Sequence, residues 1–172
     1  MLPAIEEIRN PIYQHLLLSH LPIAGLAIAT LALGIGLCMK FRAAQIPALL
    51  VILIAAAAAW PACITGTQAY TPVRTTVDRS GADWLDEHMD RANRFAPAYC
   101  GATGAALLAL LLPLRWPSTA CPLGILAFLA ATTCVLIGIF IAQPAGRIRH
   151  PEFRPEKMEN MAPLNLPDGS PP

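Results

Sequence analysis

Four long stretches without a charged residue constrain this chain more than any other feature. They are Asn10–Met39, Ala43–Val73, Phe95–Leu114 and Trp116–Gly146. Each can supply the ~20 apolar residues that a helix needs to cross the hydrocarbon core of a bilayer. Charged residues make up 13% of the chain, about half their share in an ordinary soluble domain. The sequence therefore predicts an integral membrane protein.

The spacing of these stretches predicts an all-α fold: a four-transmembrane-helix bundle with a short amphipathic helix in the outer loop. The expected spans cover residues 16–39, 46–66, 96–114 and 121–142 of a single membrane domain, residues 1–150. Prolines and polar residues dominate after this point. Residues 151–172 are therefore expected to form a flexible outer tail.

The segment between the second and third spans predicts the amphipathic helix. Asp83 is expected to cap it, and the helix is expected to run to Phe95. Trp84, His88 and Ala92 recur at helical spacing and form an apolar stripe. The stripe predicts that this helix docks against the outer end of the bundle, with His88 directed toward it.

The placement of charge predicts the topology. The two short connections contain Lys40, Arg42 and Arg115 and no acidic residue, while all eleven acidic residues lie elsewhere. Basic residues in short loops mark the cytoplasmic side. We therefore expect both termini outside a bacterial inner (plasma) membrane. The net charge of +1 says nothing about nucleic acid, but there is no basic patch to bind it, so no nucleic-acid partner is expected. The expected partners are the lipid bilayer and redox or membrane-complex proteins.

The four histidines all lie at or just beyond ends of the apolar stretches that this topology gathers on one face. His15 precedes the first expected span and His20 lies near its start, His88 precedes the third span, and His150 follows the fourth. Pro22 predicts a kink beside His20, where an imidazole can turn inward. On an unbroken helix, His15 and His20 would differ by about 140° around the axis. We expect His20 and His88 to share one site, with His15 and His150 completing it or forming a second.

Imidazoles from different helices of an apolar bundle suit b-type haem, which takes two of them per iron. The same four side chains suit a zinc, copper or iron ion, or they satisfy local hydrogen bonds with no cofactor at all. The favoured function is electron transfer through haem b. The alternatives are a metal-binding membrane protein and an anchor or accessory subunit of a larger complex.

An electron-transfer or accessory subunit is favoured over a stand-alone enzyme. Ser19 beside His20 lacks the third member of a catalytic triad. Ion transport is disfavoured because the spans contain no carboxylate or cation.

The five cysteines form no CxxC motif, which argues against a zinc knuckle and a c-type haem site. Cys63 and Cys100 are expected near the same end of the bundle, and their pairing is left open. Free, buried thiols that act as small hydrophobic groups are favoured.

Short motifs recur in an order that is similar to a known family. They are His15-x4-His20-x-Pro22, Thr65-Gly66 at the exit of the second span, His88, and Gly146-x3-His150. Over about Pro11–Pro151 the chain resembles the bacterial four-helix membrane domain called domain of unknown function 2231. Members open with His-Pro-x-x-x-His-Phe-Pro, whereas Leu16 and Leu21 stand at the first Pro and the Phe here. The resemblance implies a four-helix membrane architecture and supplies no established activity.

Overall fold

The computed structural model describes residues 8–155, and within that range every regular element is helical. The α-helices are α1 (Pro11–His20), α2 (Leu26–Cys38), α3 (Arg42–Ala57), α4 (Ala59–Arg74), α5 (Arg79–Phe95), α6 (Pro97–Leu111) and α7 (Ala120–Arg149). A π-helical turn, Leu21–Gly25, joins α1 to α2. Short 3-10 turns cover Leu112–Leu114, Pro117–Thr119 and Pro151–Phe153.

These elements form four helical stretches that are long and apolar enough to cross a membrane. They cover Pro11–Cys38, Arg42–Arg74, Arg79–Leu114 and Pro117–Arg149. The predicted all-α fold and four-helix bundle are confirmed. The stretches are 28 to 36 residues long, which corresponds to about 42–54 Å. A hydrocarbon core of ~30 Å leaves part of each stretch beyond it, so the helices continue past the predicted spans.

The centre of the bundle is packed through small side chains. α2 and α6 each pack against both α3 and α7, and many of the buried residues between them are alanines, including Ala29, Ala55, Ala102, Ala106, Ala127 and Ala131. Small residues allow helix backbones to approach closely, as is typical of membrane bundles. Large apolar side chains face outward, with Ile28, Ile54 and Leu136 more than 60% exposed. This distribution suits contact with lipid.

At one end the helices form two pairs, α1 packed against α4 and α5 packed against α7. We call this the histidine end because His15 and His88 lie there. At the start of α1 the Asn10 side chain accepts a hydrogen bond from the Ile12 amide, and Pro11 lies in the first turn. The disturbance expected from Pro22 is the π-helical turn, which begins only after His20.

At the opposite end a proline leaves a carbonyl that another helix satisfies. Pro113 has no N–H to offer the Ala109 carbonyl, four residues earlier. Arg42 Nη2 donates to that oxygen at 2.7 Å, and Arg42 Nη1 donates to Gln45 at 3.3 Å. Gln45, itself buried, donates to the Gly36 carbonyl at 3.1 Å. Arg42 thus supplies the partner that a freed carbonyl needs where water is scarce.

Two expected boundaries are wrong. α5 begins one turn before Asp83, because the Asp78 side chain accepts a hydrogen bond from the Gly81 amide and caps the helix there. α7 continues through Arg149, beyond the expected end of the fourth span at residue 142. The first residues of the predicted flexible tail are held in place, since Arg154 is only 4% exposed. The rest of that tail, residues 156–172, lies outside the described residues.

Candidate functional site

His15 reaches from α1 to α4. Its Nδ1 lies 2.9 Å from the Ala62 carbonyl oxygen, and its side chain is half-buried. Gly66 follows Ala62 by one helical turn and lies directly against the ring. A Cβ added to Gly66 would lie 2.9 Å from both Cε1 and Nδ1 of His15. Because Gly66 has no side chain, the His15 imidazole can occupy this space.

His88 reaches from α5 to α7. Its Nδ1 lies 2.8 Å from the Ile141 carbonyl oxygen. Pro144 cannot donate to the neighbouring Phe140 carbonyl, and Arg91 donates to it instead at 2.8 Å. The Arg91 Cζ also lies 4.0 Å from the centroid of the Phe140 ring, a cation–π contact. One turn of α5 therefore docks on α7 through two side-chain contacts to consecutive carbonyls.

His15 and His88 meet between the two helix pairs of the histidine end. Their ring centroids are 6.3 Å apart and their planes are inclined at 77°. The rings come from α1 and α5, and their carbonyl partners belong to α4 and α7. All four membrane-type stretches therefore contribute to this contact.

The hydrogen bonds fix the tautomer of both rings. A carbonyl oxygen only accepts, so Nδ1 of His15 and of His88 carries the proton. In the neutral imidazole, Nε2 is then the nitrogen with the free lone pair. Metal-ligating histidines have this arrangement, in which the second ring nitrogen donates to a backbone carbonyl or a carboxylate. Nε2 of each ring is therefore the nitrogen that could hold a metal.

The expected pairing of His20 with His88 is not what the structure contains. His20 is exposed, and its Nδ1 lies 2.6 Å from the Leu16 carbonyl of its own helix. The π-helical turn begins after His20, so α1 is regular between His15 and His20. The two side chains therefore point in directions that differ by about 140°, and it is His15 that faces His88.

His150 also stands apart from the His15–His88 contact. It is exposed and follows the last residue of α7. Its Nδ1 lies 2.9 Å from Glu152 Oε1, and its ring centroid lies 5.3 Å from that of Phe153. These partners follow His150 directly along the chain. The expectation that all four histidines gather is therefore fulfilled for two of them.

Other potential ligands do not extend the pair. Within residues 8–155, no group of three or more His, Cys, Asp or Glu side chains is arranged to hold a metal ion. All five cysteines are free, as favoured from the sequence, but the expected burial is wrong for all except one. Only Cys134 is buried, while Cys63 is half-buried and Cys100 is exposed.

The turn between α4 and α5 carries a strongly perturbed acid. Arg154 donates two hydrogen bonds to the Asp78 carboxylate, at 2.6 and 2.8 Å. These bonds, and the bond from the Gly81 amide, lower the pKa of Asp78 to about 2. The carboxylate is therefore charged at any neutral or mildly acidic pH.

Sequence reasoning missed the groups that orient the two imidazoles. Backbone carbonyls such as those of Ala62 and Ile141 leave no trace in a sequence. Gly66 is an indirect signal for His15, because a glycine permits close approach. Pro144 frees the Phe140 carbonyl, which accepts from Arg91 and not from His88. Comparison with family models, with curated proteins and with solved structures found no match to this chain. The resemblance to domain of unknown function 2231 stays a prediction.

Proposed function

We propose that this protein is a membrane-embedded b-type haem protein that carries electrons, and that His15 and His88 would hold the haem iron. The observation that carries the proposal is the contact between the rings, which come from different helix pairs and each donate through Nδ1 to a backbone carbonyl. This leaves Nε2 of both rings available to a metal.

The spacing of the rings supports a shared iron. Imidazole nitrogens bind transition metals at about 2.0–2.1 Å, which sets the ring centroids of two opposed ligands on the order of 6 Å apart. The observed separation is 6.3 Å. The inclination of 77° between the ring planes is compatible with a shared iron. Each ring plane would have to contain the bond from its own nitrogen to the metal, and this leaves the angle between the two planes free.

The helix pairing supports a flat cofactor. α1 with α4 forms one wall of the histidine end and α5 with α7 forms the other, and each wall contributes one imidazole. Haem takes one axial ligand on each face and needs only two from the protein. When bound, its iron supplies one-electron transfer.

The proposed site belongs at a membrane surface. Trp60 is 69% exposed and Trp116 is 56% exposed, as in the aromatic belts of membrane proteins. The helical path from Arg42 to Trp60 is about 27 Å long, close to the ~30 Å hydrocarbon thickness. Ala62, the partner of His15, follows Trp60 by two residues. This depth makes the site accessible to a redox partner outside the bilayer.

We also propose that the histidine end faces the outside of a bacterial inner membrane. Lys40 and Arg115, both exposed, lie at the opposite end beside Arg42, and basic residues near short loops favour the cytoplasmic side. In a variant without native cysteines, Asp83→Cys should react with an impermeant thiol reagent from outside spheroplasts, while Arg115→Cys should not. The reverse pattern would invert the topology without affecting the haem proposal.

The test of function is the reduced-minus-oxidised absorption spectrum of the purified full-length protein, with metal analysis of the same sample. We expect sharp b-type bands and about one iron per chain. Bound zinc or copper without haem would replace the proposal with a metal-ion site. Neither haem nor metal, from a host replete in both, would favour an accessory membrane subunit.

A further inference from the structure

Arg154 is the most deeply buried charged side chain in the described part of the protein, at 4% exposure. Its guanidinium donates four hydrogen bonds. Nε donates to the Arg147 carbonyl at 2.9 Å, and Nη2 donates to the Ile148 carbonyl at 3.0 Å. Nη1 and Nη2 donate to the two Asp78 carboxylate oxygens, at 2.6 and 2.8 Å. The fork of the guanidinium is matched to these acceptors.

These acceptors belong to two helix ends. The Arg147 and Ile148 carbonyls lie in the last turn of α7, where the helix itself provides no donors. Asp78 is the N-cap of α5. Gly81, in the first turn of α5, packs closely against the Ile148 carbonyl and Arg154. A Cβ at Gly81 would lie 2.6 Å from the Ile148 oxygen and 3.0 Å from Arg154 Nη2. Arg154 therefore joins the start of α5 to the end of α7.

From the contact at Arg154, α5 packs along α7 as far as the proposed site. The Arg147 Cζ lies 4.5 Å from the centroid of the Trp84 ring, and one turn later His88 meets the Ile141 carbonyl. Gly81 and His88 are about 10 Å apart along the helix axis. The position of His88 over Ile141 therefore depends on where the start of α5 is held.

We propose that Arg154 is a positioning residue for the His15–His88 site, acting through Asp78 and the end of α7 to hold α5 so that His88 donates to Ile141 and faces His15. The inference rests on the proposed function only for what the two imidazoles bind. The placement of His88 is a property of the protein with or without a cofactor.

Lysine cannot take the place of arginine here. Its single ammonium group lacks the planar fork that reaches two carboxylate oxygens and two carbonyls at once. Asp78→Asn removes the charge from the other partner while keeping an oxygen that can still cap Gly81. Arg149, exposed in the same segment, provides a matched control for the loss of one positive charge.

The experiment compares full-length wild type, Arg154→Lys, Asp78→Asn and Arg149→Ala in detergent. Two readouts need no cofactor: hydrogen exchange of the α5 backbone amides and the ¹⁵N imidazole spectrum, with the His88 signal assigned by His88→Gln. A third readout is the haem content per chain.

We expect amides in the first half of α5 to exchange at least tenfold faster in Arg154→Lys and in Asp78→Asn, and the His88 spectrum to lose its fixed Nδ1–H tautomer. Arg149→Ala should match wild type in both. An unchanged His88 tautomer in Arg154→Lys and Asp78→Asn would overturn the positioning role, even if amide exchange near residue 79 accelerates. A changed tautomer in protein that never binds haem would refute the proposed function and leave the positioning role intact.

Discussion

His15 and His88 approach each other to 6.3 Å between ring centroids while each is held by a backbone carbonyl of a different, neighbouring helix. Nδ1 of each imidazole is thus held by the fold, and Nε2 is the nitrogen that the proposed haem would use. Rings locked in this way lose little freedom when a metal binds, which is a requirement for a precise site.

Gly66 should be indispensable to the placement of His15. In Gly66→Ala the new Cβ meets the imidazole at 2.9 Å, and forcing extra volume into a packed contact typically costs about 1–3 kcal/mol. This exceeds the gain of up to about 1 kcal/mol from the helix propensity of alanine. We expect a lower free energy of unfolding in detergent and a 10–100-fold weaker affinity for haem, as for lost support of a metal ligand.

Gly101→Ala is the matched control, since open space surrounds the Cβ position of Gly101. It should leave haem affinity unchanged and keep or slightly raise stability, because only helix propensity differs. If both alanine variants behave alike, the close contact between Gly66 and His15 does not govern the site.

Arg42 should contribute less to the free energy of unfolding when Pro113 is removed. Arg42→Leu deprives the Ala109 carbonyl of its donor, and an unsatisfied buried acceptor costs about 1–3 kcal/mol. In Pro113→Ala, the restored N–H can serve that carbonyl. A double-mutant cycle on the free energy of unfolding should therefore give a coupling energy of at least ~0.5 kcal/mol. Strictly additive changes would show that Arg42 does not act through this carbonyl.

The sequence predicts the bundle well because membrane insertion is encoded in composition. The four uncharged stretches correspond to the four long helices. The helix ends differ from prediction, since polarity marks where lipid contact stops and not where a helix stops. Residues 67–74 are polar in part, yet α4 continues through them to Arg74.

The partner of His88 was not predictable, because it depends on tertiary packing. The sequence offers both His15 and His20 on one helix, five residues apart, and no local pattern decides which of them faces the interior. His15 faces the interior because of the packing of α1 on α4 and because Gly66 has no side chain to block the imidazole. Likewise, Asp83 was the expected cap of α5, but the cap is Asp78, which is held by Arg154, a residue distant in sequence.

Asp78 should make stability depend on pH in the acidic range. Its pKa is about 2 in the folded protein, against an ordinary value of 3.8. A depressed pKa means that the unfolded state binds the proton more readily. The stabilisation by Asp78 is therefore complete above about pH 4 and is lost as the pH falls through about 2.

Asp78→Asn removes this titration, so the difference in unfolding free energy between wild type and variant should shrink as the pH is lowered from 5 toward 2. Denaturant titrations of both proteins at several pH values measure it. A difference that stays constant over this range would mean that Asp78 and Arg154 do not interact as an ion pair in the folded protein.

The most direct test of the account is the haem content per chain of four single variants, purified in parallel with wild type: His15→Ala, His88→Ala, His20→Ala and His150→Ala. The structure pairs only the first two residues, and loss of an axial ligand removes most of the affinity for haem. We predict at least a tenfold loss in His15→Ala and His88→Ala, and wild-type content in His20→Ala and His150→Ala. Full haem content in His15→Ala or His88→Ala, or loss confined to His20→Ala, would contradict the assignment of the site to the contact between His15 and His88.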